Sequence, residues 1–138
     1  MCEQQCIQVK PDSSGLSCAR CWVSRMIENM CFEEDEACGL FIAVGEAVSN
    51  AYLHGTPDPE LCMIDLSWSL TADALTITVN DSGRCEHRHT TQLPDRGMLA
   101  RGAELMRSGV DEVFFTDKYT SPVVLIKHLA PSDRGTAA

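Results

Sequence analysis

The run Phe41-Ile42-Ala43-Val44-Gly45-Glu46-Ala47-Val48-Ser49-Asn50-Ala51-Tyr52-Leu53-His54-Gly55 constrains this chain more than any other. It sets a carboxylate, an amide and an imidazole four residues apart within an otherwise apolar stretch. On a 3.6-residue period Glu46, Asn50 and His54 share one helical face, and Val44, Val48 and Ala51 form the stripe opposite. Three aligned polar side chains on a core helix read as a site. Gly55 supplies the stop, since a glycine just past the last turn can take the left-handed conformation of a C-cap. His54, in that last turn, is read as structural, capping carbonyls or meeting the negative end of the helix dipole.

Length and charge narrow the rest. The 138 residues make one domain, and 44% hydrophobic residues suffice for a core. Eleven basic residues against 20 acidic give a net charge of -9, which repels phosphate backbones and argues against nucleic acid as a partner. No apolar run reaches about 18 residues, and Met1-Cys2-Glu3-Gln4-Gln5 lacks the basic-then-apolar build of a signal peptide, so a cytoplasmic protein with no membrane partner is expected. The eight cysteines are then expected as thiols. Cys2, Cys6, Cys18 and Cys21 offer four thiolates for zinc or an iron-sulfur cluster, but in no familiar finger spacing. The competing reading packs Cys18 and Cys21 as small hydrophobes in a helix. Cys85, His87 and His89 carry ligand chemistry in a polar loop and read as a solvated segment.

Along the chain, residues 6–9 alternate as a strand, and Pro11-Asp12-Ser13-Ser14 signals a turn and a helix cap. A helix is expected over about 16–30, its inner face carrying Cys18, Trp22, Met26 and Met30. Glu33-Glu34-Asp35-Glu36 suits the positive end of the next helix dipole as a solvated start. Strands are expected over 62–70 and 74–80, turning at Thr71-Ala72-Asp73. A helix over about 97–108 and strands near 110–116 and 123–129 complete the pattern. Helices and antiparallel strands are segregated, which argues for α+β: a two-layer sandwich of helices on a mixed, mainly antiparallel sheet. The domain is expected to span residues 1–130, with 131–138 a disordered tail.

Three motifs stand in order. Glu46-x3-Asn50-x3-His54-Gly55 resembles the N box of the GHKL (histidine kinase-like) ATP-binding fold. Val79-Asn80-Asp81-Ser82-Gly83 resembles its first glycine box. Arg96-Gly97-Met98, running into the helix of Leu99 to Met106 and then Val110-Asp111-Glu112-Val113, resembles the second glycine box and the strand beyond. Within that superfamily the chain looks most like the bacterial anti-sigma-factor serine/threonine kinases, over roughly residues 6–129.

The resemblance implies ATP and Mg2+ as ligands, a pocket between these three segments, and a cytoplasmic regulator of transcription. Such a protein phosphorylates a small anti-sigma-factor antagonist of the STAS type on serine, sequesters a sigma factor, and forms a homodimer. An amide carbonyl can hold Mg2+ against phosphates, which assigns Asn50 as metal ligand. Glu46, one turn away, can take a proton from a serine hydroxyl and is assigned as general base. Asp81 is expected to accept from the adenine amino group, with Gly83 letting the backbone pass close. Arg96, Gly97 and Met98 open a helix whose amides suit phosphates.

Two positions depart from the family pattern. Asp95, preceded by Pro94, stands at the usual first glycine of the second box, and an aspartate beside a polyphosphate is unfavourable unless it turns outward or meets magnesium. Ser121-Pro122 replaces the glycine-threonine pair that opens the last strand, so Thr120 or Ser121 would supply a hydroxyl to adenine. These departures favour an alternative, a non-catalytic binding module on the same fold. A sensor histidine kinase would need a dimerisation helix pair, and a gyrase- or chaperone-type ATPase further domains.

Overall fold

A computed structural model describes residues 3–55, 63–81, 96–116 and 120–130; at 52–55, 81, 96–100, 116, 120 and 121 the backbone alone is described. The elements are β1 (Glu3–Val9), α1 (Ser13–Glu28), α2 (Glu34–Gly55), β2 (Ile64–Leu70), β3 (Ala74–Asp81), α3 (Arg96–Gly109), β4 (Glu112–Thr116) and β5 (Thr120–His128). The strands form one sheet in the order β1-β2-β3-β5-β4. Every described pairing is antiparallel, so the mixed component expected from the sequence is not seen among them.

The sheet is amphipathic because its strands alternate. Ile64, Leu66 and Leu70 of β2 are buried, as are Leu75, Ile77 and Val79 of β3 and Val123 and Leu125 of β5. On the other face the row Cys6, Ser67 and Thr78, and the row Gln4, Ser69 and Thr76, line an open polar surface. The β2–β3 turn closes as its sequence predicts. Thr71 donates its N–H to the carbonyl of Ala74 at 3.0 Å, and its Oγ1 accepts from the N–H of Ala74 at 3.2 Å.

All three helices cover the apolar face, with α2 central. Leu40, Ala43, Val44, Ala47, Val48 and Ala51 are buried, so the apolar stripe read from the sequence is the core stripe. The N-terminus of α2 is not merely solvated: Glu36 meets Lys127 of β5 at 3.2 Å. That pair sits at the end of the sheet where Lys127 is registered with Leu75. Partly exposed, it contributes at most about 1 kcal/mol and acts chiefly to fix where α2 begins.

The expected inner face of α1 needs correction. The buried residues are Gly15, Ala19, Val23 and Met26, with Trp22 half-buried, whereas Cys18 is exposed. Strict intervals of four overshoot a helical turn, so a line through 18, 22, 26 and 30 drifts around the cylinder and leaves the core at its first member. The helix also starts earlier than expected, because Asp12 caps it by accepting from the N–H of Gly15 at 2.8 Å.

Pro122 lies within β5. The ladder pairs Phe115 with Val123 and then Thr116 with Thr120, so the register shifts at Ser121-Pro122. A bulge is where a strand tolerates a proline, which has no N–H to give. The expected tail, 131–138, lies outside the described residues.

Candidate functional site

Asn50 and Glu46 lie on the flank of α2 that faces α3. The two helices run antiparallel: Gly39 meets Gly109 at one end of their crossing, and Glu46 and Asn50 meet Gly102 at the other. A Cβ built on Gly102 would lie 3.1 Å from Asn50 Nδ2, 3.3 Å from Glu46 Oε2 and 3.4 Å from Asn50 Oδ1. The amide and the carboxylate thus converge on one point, and a glycine on the facing helix leaves that point free.

Asn50 is only 4% exposed, and its Nδ2 has no hydrogen-bond partner. Leaving a buried amide unsatisfied costs about 1–3 kcal/mol, and native proteins rarely keep such a group without a use for it. It is the sole buried side-chain nitrogen or oxygen in that state among the described residues. Glu46 is half-buried beside it. One amide carbonyl and one carboxylate are hard oxygen donors of the kind magnesium takes when it is shared with phosphates. The donor set therefore fits a magnesium-bound polyphosphate, and the unpartnered amide N–H could be met by an incoming acceptor.

The other anticipated residues are placed through the backbone. Asp81 ends β3 opposite Ile64, on the same register parity as Leu75, Ile77 and Val79. Arg96, Gly97 and Met98 form the first turn of α3. Ser121 lies at the bulge that precedes Val123, the partner of Val79. Gly83 and Asp95 lie outside the described residues, as do Cys85, His87 and His89.

The topology draws these segments toward one end of the domain. From Glu36 to Asn50 the helix rises about 21 Å, close to the roughly 20 Å that β3 covers from Leu75 to Asp81. Because α2 starts beside Lys127 at the Leu75 end, its Asn50 end extends toward Asp81 and the start of β5. The antiparallel α3 begins about 9 Å beyond the Gly102 contact, in the same direction.

Gly102 is the residue that sequence reasoning did not single out. Its signal was present: α3 carries glycines at 102 and 109, seven residues apart, where helix propensity disfavours them. Conversely, the four-thiolate reading of Cys2, Cys6, Cys18 and Cys21 is not assembled. Cys6, Cys18 and Cys21 are free and exposed, Cys6 lies on the sheet face away from the helices, and Cys2 lies outside the described residues. Among the described residues no group of three or more His, Cys, Asp or Glu side chains could hold a metal ion, and no helix is long and apolar enough to cross a membrane.

No curated protein gives a significant sequence match to the chain. The family model of the histidine kinase-like ATPase domain matches residues 9–127, which take in the three helices, strands β2 to β5 up to Lys127 and the Glu46/Asn50 pair, and leave out β1 before Val9. Six-sevenths of the sequence thus fits one family model, on a fold of helices over an antiparallel sheet, and the chain belongs to the histidine kinase-like ATPase domain family.

Proposed function

We propose that this domain binds ATP with Mg2+ and acts as a serine/threonine-protein kinase on a small anti-sigma-factor antagonist, with sequestration of a sigma factor as its regulatory output. The observation that carries the reading is Asn50: a nearly fully buried amide with an unpartnered Nδ2, held beside the Glu46 carboxylate at a glycine-lined crossing. A purely structural asparagine there would be selected against by its desolvation cost.

In this reading Asn50 directs its carbonyl oxygen to the cation and its N–H to a phosphate oxygen. Glu46 accepts the proton of the substrate serine as the hydroxyl becomes a nucleophile. Asp81 and Gly83 hold adenine, the first by accepting from its amino group. The amides of Arg96, Gly97 and Met98 at the start of α3 bind the terminal phosphates, and Ser121 supplies a hydroxyl near the base. Magnesium, when bound, neutralises charge on the phosphates. The partners, a STAS-type antagonist and a sigma factor, the cytoplasmic location and a homodimeric state follow from the resemblance to anti-sigma kinases.

A second reading, a non-catalytic binding module, is favoured by one structural feature. The β4–β5 register shifts at Ser121-Pro122, near the start of the last strand, where the family pattern has a glycine-threonine pair. Calorimetric titration of the reduced protein with ATP and ADP, with and without magnesium, separates the two. Micromolar, magnesium-dependent ATP binding supports the kinase; no binding leaves a partner-binding module.

A further inference from the structure

Free cysteine is among the residue types most often buried. All five described cysteines, at 6, 18, 21, 31 and 38, are nevertheless exposed and unbridged. Two of them form a unit. Cys18 and Cys21 lie three residues apart inside α1, with helix continuing from Ser13 on one side and to Glu28 on the other. Their positions are therefore fixed by a continuous ladder. Ala19 and Val23, buried against the flank of α2 formed by Phe41, Val44 and Val48, hold that helix in place.

Side chains three apart on a helix share one surface, with Cβ atoms about 5–6 Å apart. A disulfide needs Cβ atoms about 3.5–4.5 Å apart, closer than this helical spacing, so closing one here would strain that turn of α1. Two thiolates that reach a common atom between them more readily than they reach each other are the donor set of a bridging soft ion. Structural zinc and iron-sulfur clusters take four ligands, and no third candidate joins the pair among the described residues. Cu(I) is the soft ion that thiolates select and that two of them can satisfy. Binding releases two thiol protons to solvent, and no electron moves. The complex of two thiolates with one monovalent ion carries one negative charge, and exposed Arg25, one turn beyond Cys21, stands on the same face to offset it. The geometry points to Cys18 and Cys21 as a two-thiolate Cu(I) site on the outer surface of α1, separate from the Glu46/Asn50 pair.

The test supplies Cu(I) anaerobically to the reduced full chain from a chromophoric competing chelator. One equivalent should transfer, and peptide mapping should show Cys18 and Cys21 protected together from iodoacetamide in the unmutated protein. Cys18→Ser/Cys21→Ser, at exposed positions, should lose that equivalent, whereas Cys6→Ser/Cys38→Ser should keep it. Unchanged uptake by the Cys18→Ser/Cys21→Ser variant, or alkylation of both thiols at the free rate with Cu(I) bound, overturns the site. So does a Cys18–Cys21 disulfide formed by diamide with the helical signal of α1 intact.

Discussion

Gly109 of α3 rests directly on Gly39 of α2, so that a Cβ on Gly109 would collide with the carbonyl oxygen of Gly39. The obstacle is backbone, which cannot rotate aside. This contact sets how close the two helices come, and the same crossing brings Gly102 down onto Glu46 and Asn50.

Gly109→Ala should therefore be the most damaging substitution among Gly39, Gly45, Gly102 and Gly109. Overpacking of a tight core costs about 1–3 kcal/mol, and a clash with main chain belongs at or above the top of that range. Urea denaturation should show a lower midpoint for Gly109→Ala than for Gly39→Ala, whose added carbon would lie 3.2 Å from the Gly109 Cα. Equal midpoints would mean that the helices can separate without loss.

Gly45→Ala should move stability the other way. Beyond its chain neighbours and the helix's own backbone, no atom lies within 4 Å of a Cβ added there, and the position is inside a helix. Replacing a helical glycine by alanine gains about 0.5–1 kcal/mol through lost freedom of the unfolded chain. A lowered midpoint in the same urea series would show that Gly45 is kept for space along the α1 flank.

Gly102→Ala tests the site. Its neighbours are side-chain atoms, Asn50 Nδ2 at 3.1 Å and Glu46 Oε2 at 3.3 Å, which can shift by a few tenths of an ångström. The fold should hold, with the urea midpoint nearly unchanged, while the amide and carboxylate leave their common point. ATP affinity by calorimetry should fall about tenfold, equivalent to about 1.4 kcal/mol. Unaltered affinity would detach this crossing from nucleotide binding.

Much of this fold was legible because periodicity reports burial. The stripe Val44, Val48 and Ala51 and the alternation of Ile64, Leu66 and Leu70 are both core. What periodicity cannot report is the partner. Asn50 and Glu46 stand out in the sequence as polar residues on an apolar helix, but that they face Gly102 depends on the crossing of α2 and α3, set by Gly39 and Gly109, seventy residues apart in the chain. The buried face of α1 is hard to find in the sequence because it is carried partly by Gly15 and Ala19, whose small size permits close packing but gives no hydrophobic signal. The bulge at Ser121-Pro122 depends on register across β4 and β5, which local sequence does not encode.

The cap of α1 makes stability depend on pH. Asp12 accepts from Gly15 N–H at 2.8 Å and from the Ser14 hydroxyl at 2.7 Å, and these bonds hold its carboxyl below the ordinary aspartate value. A carboxylate with a lowered folded-state pKa adds stability that is fully present above its unfolded pKa and is lost as pH falls through the folded value. Asp12→Asn, which can still cap, should flatten this acid limb of the thermal midpoint while changing the neutral value little. Asp12→Ala should lower the neutral midpoint by a few degrees as well. An acid limb identical in all three proteins would assign the dependence to other carboxylates.

Glu46 and Asn50 should separate chemistry from binding. Removing a general base costs about 10²–10⁴-fold in rate, so Glu46→Ala should all but abolish phosphoryl transfer to a STAS-type antagonist while sparing ADP binding. Asn50→Ala should instead remove the magnesium dependence of ATP affinity. Its stability carries the sharper prediction: the substitution deletes an unpartnered buried amide and relieves a desolvation cost of about 1–3 kcal/mol, offsetting the small cavity it leaves. Ligand-free Asn50→Ala should thus be as stable as the unaltered protein although it has lost the metal-dependent site. A protein that is much less stable and still binds ATP in a magnesium-dependent way would make Asn50 a structural residue and sink the kinase assignment built on it.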